Sequence, residues 1–129
     1  MIKEMSNMQI MQMCDTLTNA FQGEGETYVP IKIGFAITKN INTLRELSSE
    51  IEDSRLNICD HYGEMTEDGS QYIFKDKETQ KKVEEEFLQL LKITQNVNLK
   101  TVKLEDIEKI ELKLSQIEAL TPMIEEEVD

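Results

Sequence analysis

The sequence predicts a mainly α, α+β fold: a long central helix packed with two or three shorter helices, plus a small β-hairpin or short antiparallel sheet. Three observations predict it. From Ile37 to Tyr62 a seam of residues recurs alternately four and three apart, a helical period sustained too long for a strand. Stretches with the same period stand on either side of it, at 7–21 and 77–93. Between them, Asp68-Gly69, the favoured turn pair, has apolar residues on both sides. A chain of 129 residues is expected to form a single domain, 1–129, with an acidic end, 122–129, that frays. Hydrophobic residues make up 39% and aromatics 5%, without Trp, so aliphatic and Met side chains must build the core.

The first helix spans 7–21. Ser6 or Asn7 can cap it, and Ile10, Met13, Cys14, Leu17 and Phe21 form its stripe. Met5, Met8 and Met11 thicken the stripe, as core filling or as an adaptable docking face. Gln22 to Thr27 reads as an acidic loop with two glycines; it lacks the pattern of a phosphate-cradling loop.

Pro30 suits the opening of the longest helix, because its missing N–H would have no partner there. The seam then runs through Ile37, Ile41, Leu44, Ser48, Ile51, Arg55, Ile58 and Tyr62, and stops before Gly63 as the C′ residue. Tyr28 to Ile33 reads alternatively as a short strand. Glu64 to Phe74 reads as the hairpin. Asp76 caps a helix over 77–93 whose stripe is Val83, Phe87, Leu90 and Leu91. Val97, Leu99, Val102 and Leu104 make a strand-like stretch. A last helix begins at Ser115 with Glu118 completing a capping box, and Pro122 kinks or restarts it with Thr121 as cap.

Twenty-six acids against fourteen bases leave a net charge of −12. That balance opposes a grip on nucleic-acid backbone, which needs a basic face, and docking on anionic membranes. No apolar run is long enough to span a bilayer, and the opening MIKEMSNMQIMQMCD is too polar for an export signal. Cys14 and Cys59, with no CxxC pattern, are expected as reduced, packed thiols.

Chemistry is hard to find in this chain. His61 is the single histidine, so neither a zinc site nor a Cys–His nucleophile pair can be assembled at recognisable spacing. Aligning Gly69 with the sixth position of a calcium loop puts Lys75 at the twelfth, where a bidentate Glu is required. Glu84-Glu85-Glu86 reads as a solvated helix face. The chain is therefore expected not to be an enzyme, with no catalytic, cofactor-binding or metal-ligating residues and no cofactor.

The stretch Tyr28-Val29-Pro30-Ile31-Lys32-Ile33-Gly34-Phe35-Ala36-Ile37-Thr38-Lys39-Asn40-Ile41 carries a resemblance. With it go the Glu67-Asp68-Gly69 turn, Tyr72-Ile73-Phe74-Lys75-Asp76, and the ending Leu114-Ser115-Gln116-Ile117-Glu118-Ala119-Leu120. In this order they resemble a small uncharacterised family from phages and prophages of Gram-positive bacteria, a domain of unknown function numbered sixteen-seventeen. The resemblance covers most of the chain from Tyr28. It implies a phage-encoded protein made in the bacterial host cytoplasm, from a region near tail and lysis genes, and it implies no catalytic residue.

The expected function is that of a non-enzymatic interaction protein working by protein–protein contact, such as a virion or tail assembly accessory. Its partner would be a phage structural or assembly protein. The alternative is an acidic inhibitor of a host nucleic-acid-binding or defence enzyme, acting as a DNA mimic in the manner of an anti-CRISPR. A weaker alternative is a small enzyme holding Mg²⁺ on carboxylates. The candidate interaction residues are the seam, Ile37, Ile41, Leu44, Ile51, Ile58 and Tyr62. A helix this long overhangs a small core, so Ile51, Ile58 and Tyr62 are expected to be exposed and to be covered in a homodimer.

Overall fold

The structure, a computed structural model, describes residues 1–22 and 28–125. The chain opens with strand β1 (Ile2–Ser6) and enters helix α1 (Asn7–Phe21) directly. Ser6 caps α1 through a full capping box: its hydroxyl accepts from the Gln9 N–H at 3.1 Å, and Gln9 Oε1 accepts from the Ser6 N–H at 2.9 Å. The central helix α2 runs from Ile31 to Tyr62. Pro30 is its cap, and the Pro30 carbonyl accepts from the Ile33 and Gly34 N–H groups. Tyr28–Pro30 is irregular chain, so the strand alternative for Tyr28 to Ile33 falls. The expected acidic loop lies outside the described residues except for Gln22, the C-cap of α1.

After α2 come β2 (Glu64–Met65) and β3 (Tyr72–Ile73), paired antiparallel as the expected hairpin. Its loop is longer than a two-residue turn: Thr66 N–H donates to Gln71 O, and Gly69, at φ +73°, takes the left-handed backbone that suits glycine. Helix α3 (Lys77–Lys92) is capped by Asp76, whose carboxylate accepts from the Thr79 N–H at 2.8 Å. Strand β4 (Thr94–Asn98) follows, then short helix α4 (Leu104–Glu108) and α5 (Leu114–Leu120).

Three elements depart from expectation, the first being α4, a helix that begins at Leu104 where the sequence reads as strand-like. β4 pairs with β1, Ile2 opposite Asn98 through Ser6 opposite Thr94, so the first residues of the chain form a strand that their sequence does not announce. The last helix starts one residue earlier than the Ser115 capping box: Lys113 is its cap, and Gln116 Oε1 accepts the Lys113 N–H. Pro122 does end α5, within a single 3₁₀ turn (Thr121–Met123). Beyond it the expected fraying does not begin. Val102 N–H donates to Met123 O, and Glu125 N–H donates to Val102 O, so 122–125 is tied back to the segment after β4. Residues 126–129 lie outside the described residues.

The core lies where α1, α2, α5 and β4 meet. Ile10, Leu17, Ile33, Ile41, Leu44, Val97, Leu99, Leu120 and Met123 are fully buried there. Met5 and Met13 belong to this core, while Met8 faces out, so the methionine stripe is packing. Cys14 and Cys59 are both buried free thiols.

Three amide side chains stitch this core together. Among the described residues the buried polar side chains are Asn7, Asn40 and Gln116, and each bonds chain far away in sequence. Asn40 holds Lys100 with two bonds of 2.8 Å, donating to its carbonyl and accepting from its N–H. Asn7 donates to Leu90 O and accepts from Gln95 Nε2. Gln116 donates to Ala20 O at 3.2 Å. An Asn or Gln carries a donor and an acceptor on one head, so it can satisfy a stretch of backbone that leaves a regular ladder.

Candidate interaction surface

The seam of α2 turns inward. Ile37, Ile41, Leu44 and Ile51 are buried in the chain's own core, and Ile51 keeps only 5% of its surface exposed. Ile58 and Tyr62 are half-buried. α3 folds back along this end of α2, and the Tyr62 hydroxyl donates to Glu86 Oε1 at 3.1 Å. Ile37, Ile41, Leu44 and Ile51 are therefore corrected from an interaction surface to core positions. Of the end expected to overhang, Ile51 is buried, and Ile58 and Tyr62 keep part of their surface open beside α3.

Two exposed apolar side chains of α2 lie off that seam. Ile31 is 86% exposed and Phe35 58%, one turn apart on α2, and Tyr28 just before the helix is 88% exposed. At about 100° per residue, Ile31 and Phe35 point roughly 80° to 180° away from Ile37, Ile41 and Leu44. The neighbouring Val29 folds back against Gly34, where an added Cβ would stand 3.3 Å from Val29 Cγ2. That contact anchors the chain ahead of the helix and leaves Tyr28 and Ile31 facing water.

Two lysines lie beside the patch, one of them paired with an acid. Lys39 Nζ lies 5.6 Å from the centre of the Phe35 ring, and Lys32 Nζ stands 3.4 Å from Asp106 Oδ2. From Tyr28 to Arg45 the chain holds Lys32, Lys39 and Arg45 and no acid. From Glu46 to Asp68 the balance reverses: Glu46, Glu50, Glu52, Asp53, Asp60, Glu64, Glu67 and Asp68 face a single Arg55. Charge therefore changes sign along α2, basic toward its start and acidic toward its end.

At the acidic end, a cleft of about 490 Å³ opens between the hairpin and the α2–α3 pair, with Arg55, Leu56, Cys59, Met65, Tyr72, Phe74 and Phe87 among its walls. Arg55 lies against the Phe87 ring at 5.9 Å and is neutralised by Glu52, whose carboxyl it holds below the ordinary value. The Tyr72 hydroxyl donates to Asp60, and that carboxylate pushes the phenol above its ordinary value. Asp68 accepts from Thr66 and Ser70, which lowers its carboxyl to about 2. Gly63, at φ −131°, is not a left-handed cap. Its bare Cα instead makes room for Phe74, whose ring would stand 2.7 Å from an added Cβ.

Among the described residues no three His, Cys, Asp or Glu side chains are grouped to hold a metal, and no helix is long and apolar enough to cross a membrane. Sequence reasoning missed the patch because it followed the seam and set aside what the seam excluded. The signal was present in Ile31 and Phe35, two large apolar residues off the stripe within an acid-free stretch. Comparison with protein-family models, curated proteins and solved structures found no match.

Proposed function

We propose that this chain is a non-enzymatic interaction protein of phage or prophage origin, acting by protein–protein contact in the bacterial host cytoplasm as an accessory of virion or tail assembly. The observation that carries the contact reading is the exposure of Tyr28, Ile31 and Phe35, with Lys39 over the Phe35 ring. Large apolar side chains that cluster on a small protein's surface mark a place where another molecule docks. Aromatic anchors with basic neighbours are the residue types enriched in such contacts. The phage origin rests on the resemblance of Tyr28–Ile41, the Tyr72–Asp76 step and the Leu114–Leu120 ending.

The test compares the wild type with an Ile31→Glu, Phe35→Glu double variant, both tagged and expressed in infected cells. Tail or baseplate proteins should copurify with the wild type and be lost with the variant. Equal recovery with both, or none with the wild type, contradicts the reading.

A second reading is favoured by the eight carboxylates between Glu46 and Asp68. An acidic region of that density suits the basic channel of a host nucleic-acid-binding or defence enzyme, to which long-range charge would steer it. Under that reading, capture falls when Glu46, Glu50 and Asp53 are changed to Gln, and survives Ile31→Glu with Phe35→Glu.

A further inference from the structure

We propose that the free edge of β1 takes up an extended segment of another protein as an added strand, one in which basic residues alternate with apolar ones. The inference does not use the Tyr28–Ile31–Phe35 patch and stands or falls apart from it. The sheet that holds β1 has two strands, so β1 keeps a second edge. Which backbone groups lie on that edge follows from the ladder. Leu99 N–H donates to Met1 O and Asn7 N–H to Ile93 O, so the odd-numbered residues of β1 bond β4. The N–H and carbonyl groups of Ile2 and Glu4 therefore point away from it. The same alternation turns Ser6 N–H outward, where Gln9 meets it, and turns Lys100 outward beyond β4, where Asn40 meets both of its groups. Ile2 and Glu4 receive no side-chain cap of that kind among the described residues. Two donors and two acceptors in extended spacing suit one ligand above others, a second extended backbone, which binds an open edge through main-chain bonds.

A groove of about 350 Å³ gives that backbone somewhere to lie. Lys3, Glu4 and Met5 share its walls with α1 and α5. Met5, Met13 and Ala119 are buried along it and make its floor apolar. Two acids, Glu4 and Glu118, stand in it against Lys3, and neither makes a side-chain hydrogen bond or ion pair among the described residues. Side chains at opposed positions of paired strands share a face. A residue set opposite Glu4 lies beside that carboxylate, which favours a base. The next residue, opposite Met5, turns toward the apolar floor. A second copy offering its own β1 fits less well. Two-fold antiparallel pairing centred on Lys3 or on Glu4 sets like charges directly opposite, and pairing centred on Ile2 leaves Glu4 unmatched.

The test is an NMR titration of the purified chain with an acetylated and amidated Lys-Val-Lys-Val-Lys peptide. The amide signals of Ile2 and Glu4 should shift, and their hydrogen exchange should slow. N-methylation of the peptide's lysines removes the donors that face β1 and should weaken binding about tenfold, whereas N-methylation of its valines should leave binding intact. Glu4→Gln should weaken it about threefold, the worth of a cross-strand charge pair. Glu4→Pro deletes an outward N–H at an edge position where proline is tolerated, and should abolish binding. If Glu4→Pro does not fold, the two methylated peptides decide. Unmoved Ile2 and Glu4 signals at millimolar peptide overturn the proposal. So does equal binding of the two methylated peptides, or a wild-type dimer that Glu4→Pro dissolves.

Discussion

Asn40 is the residue on which the joint between α2 and the strand pair turns. It is 1% exposed, and its amide satisfies both the N–H and the carbonyl of Lys100 where β4 has ended. Asn40→Leu keeps the branched shape but leaves two partly buried backbone groups without their partner, so urea unfolding should show a loss of about 3 kcal/mol. Ser48 is the converse case. Its Oγ is buried without a hydrogen-bond partner among the described residues, in a seam position that asks for an apolar side chain. Ser48→Ala removes that orphan and improves helix propensity, and should raise stability by about 1 kcal/mol in the same assay. The two residues differ in how legible they were. Ser48 is visible from sequence as a polar break in an apolar seam, whereas Asn40 is recognisable only once Lys100, sixty positions later, is in place.

At the scale of elements, what the sequence disclosed depended on how local each element's cause was. Helices α1, α2 and α3 follow from apolar period and caps: Ser6 and Asp76 bond as their positions suggest, and the seam from Ile37 to Ile51 is buried. β1 was not legible. Its residues Ile2–Ser6 read as a prelude to α1, and they become a strand only because β4 arrives about ninety residues later. The hairpin lies between these cases, with a visible Asp68-Gly69 and an unforeseen packing role for Gly63. Gly63→Ala would drive a Cβ to 2.7 Å from Phe74 and 3.0 Å from the Ile73 carbonyl, and should cost about 2 kcal/mol by thermal or urea unfolding. The turn should also respond to acid. Asp68 is held at about 2 against an ordinary 3.8, so its contribution is present above 3.8 and is lost as pH falls through the lower value. Amide shifts of Ser70 and Gln71 should move across that window in the wild type and stay flat in Asp68→Asn.

For the whole molecule, α2 divides by face. One side, through Ile33, Ile37, Ile41 and Leu44, builds the core, and Ile31 and Phe35 on the other meet solvent. Periodicity made the first side legible. The second was obscured because an exposed apolar residue is ordinary taken singly, and becomes a surface only when its neighbours and their charge are placed together. The division is tested most directly by equilibrium urea unfolding of Ile31→Glu with Phe35→Glu beside Leu44→Ala. The double variant should unfold within about 0.5 kcal/mol of the wild type, because both side chains already meet water, while Leu44→Ala should lose about 3 kcal/mol from a fully buried site. A double variant that loses as much as Leu44→Ala would place Ile31 and Phe35 in the fold itself and contradict their assignment as a contact surface.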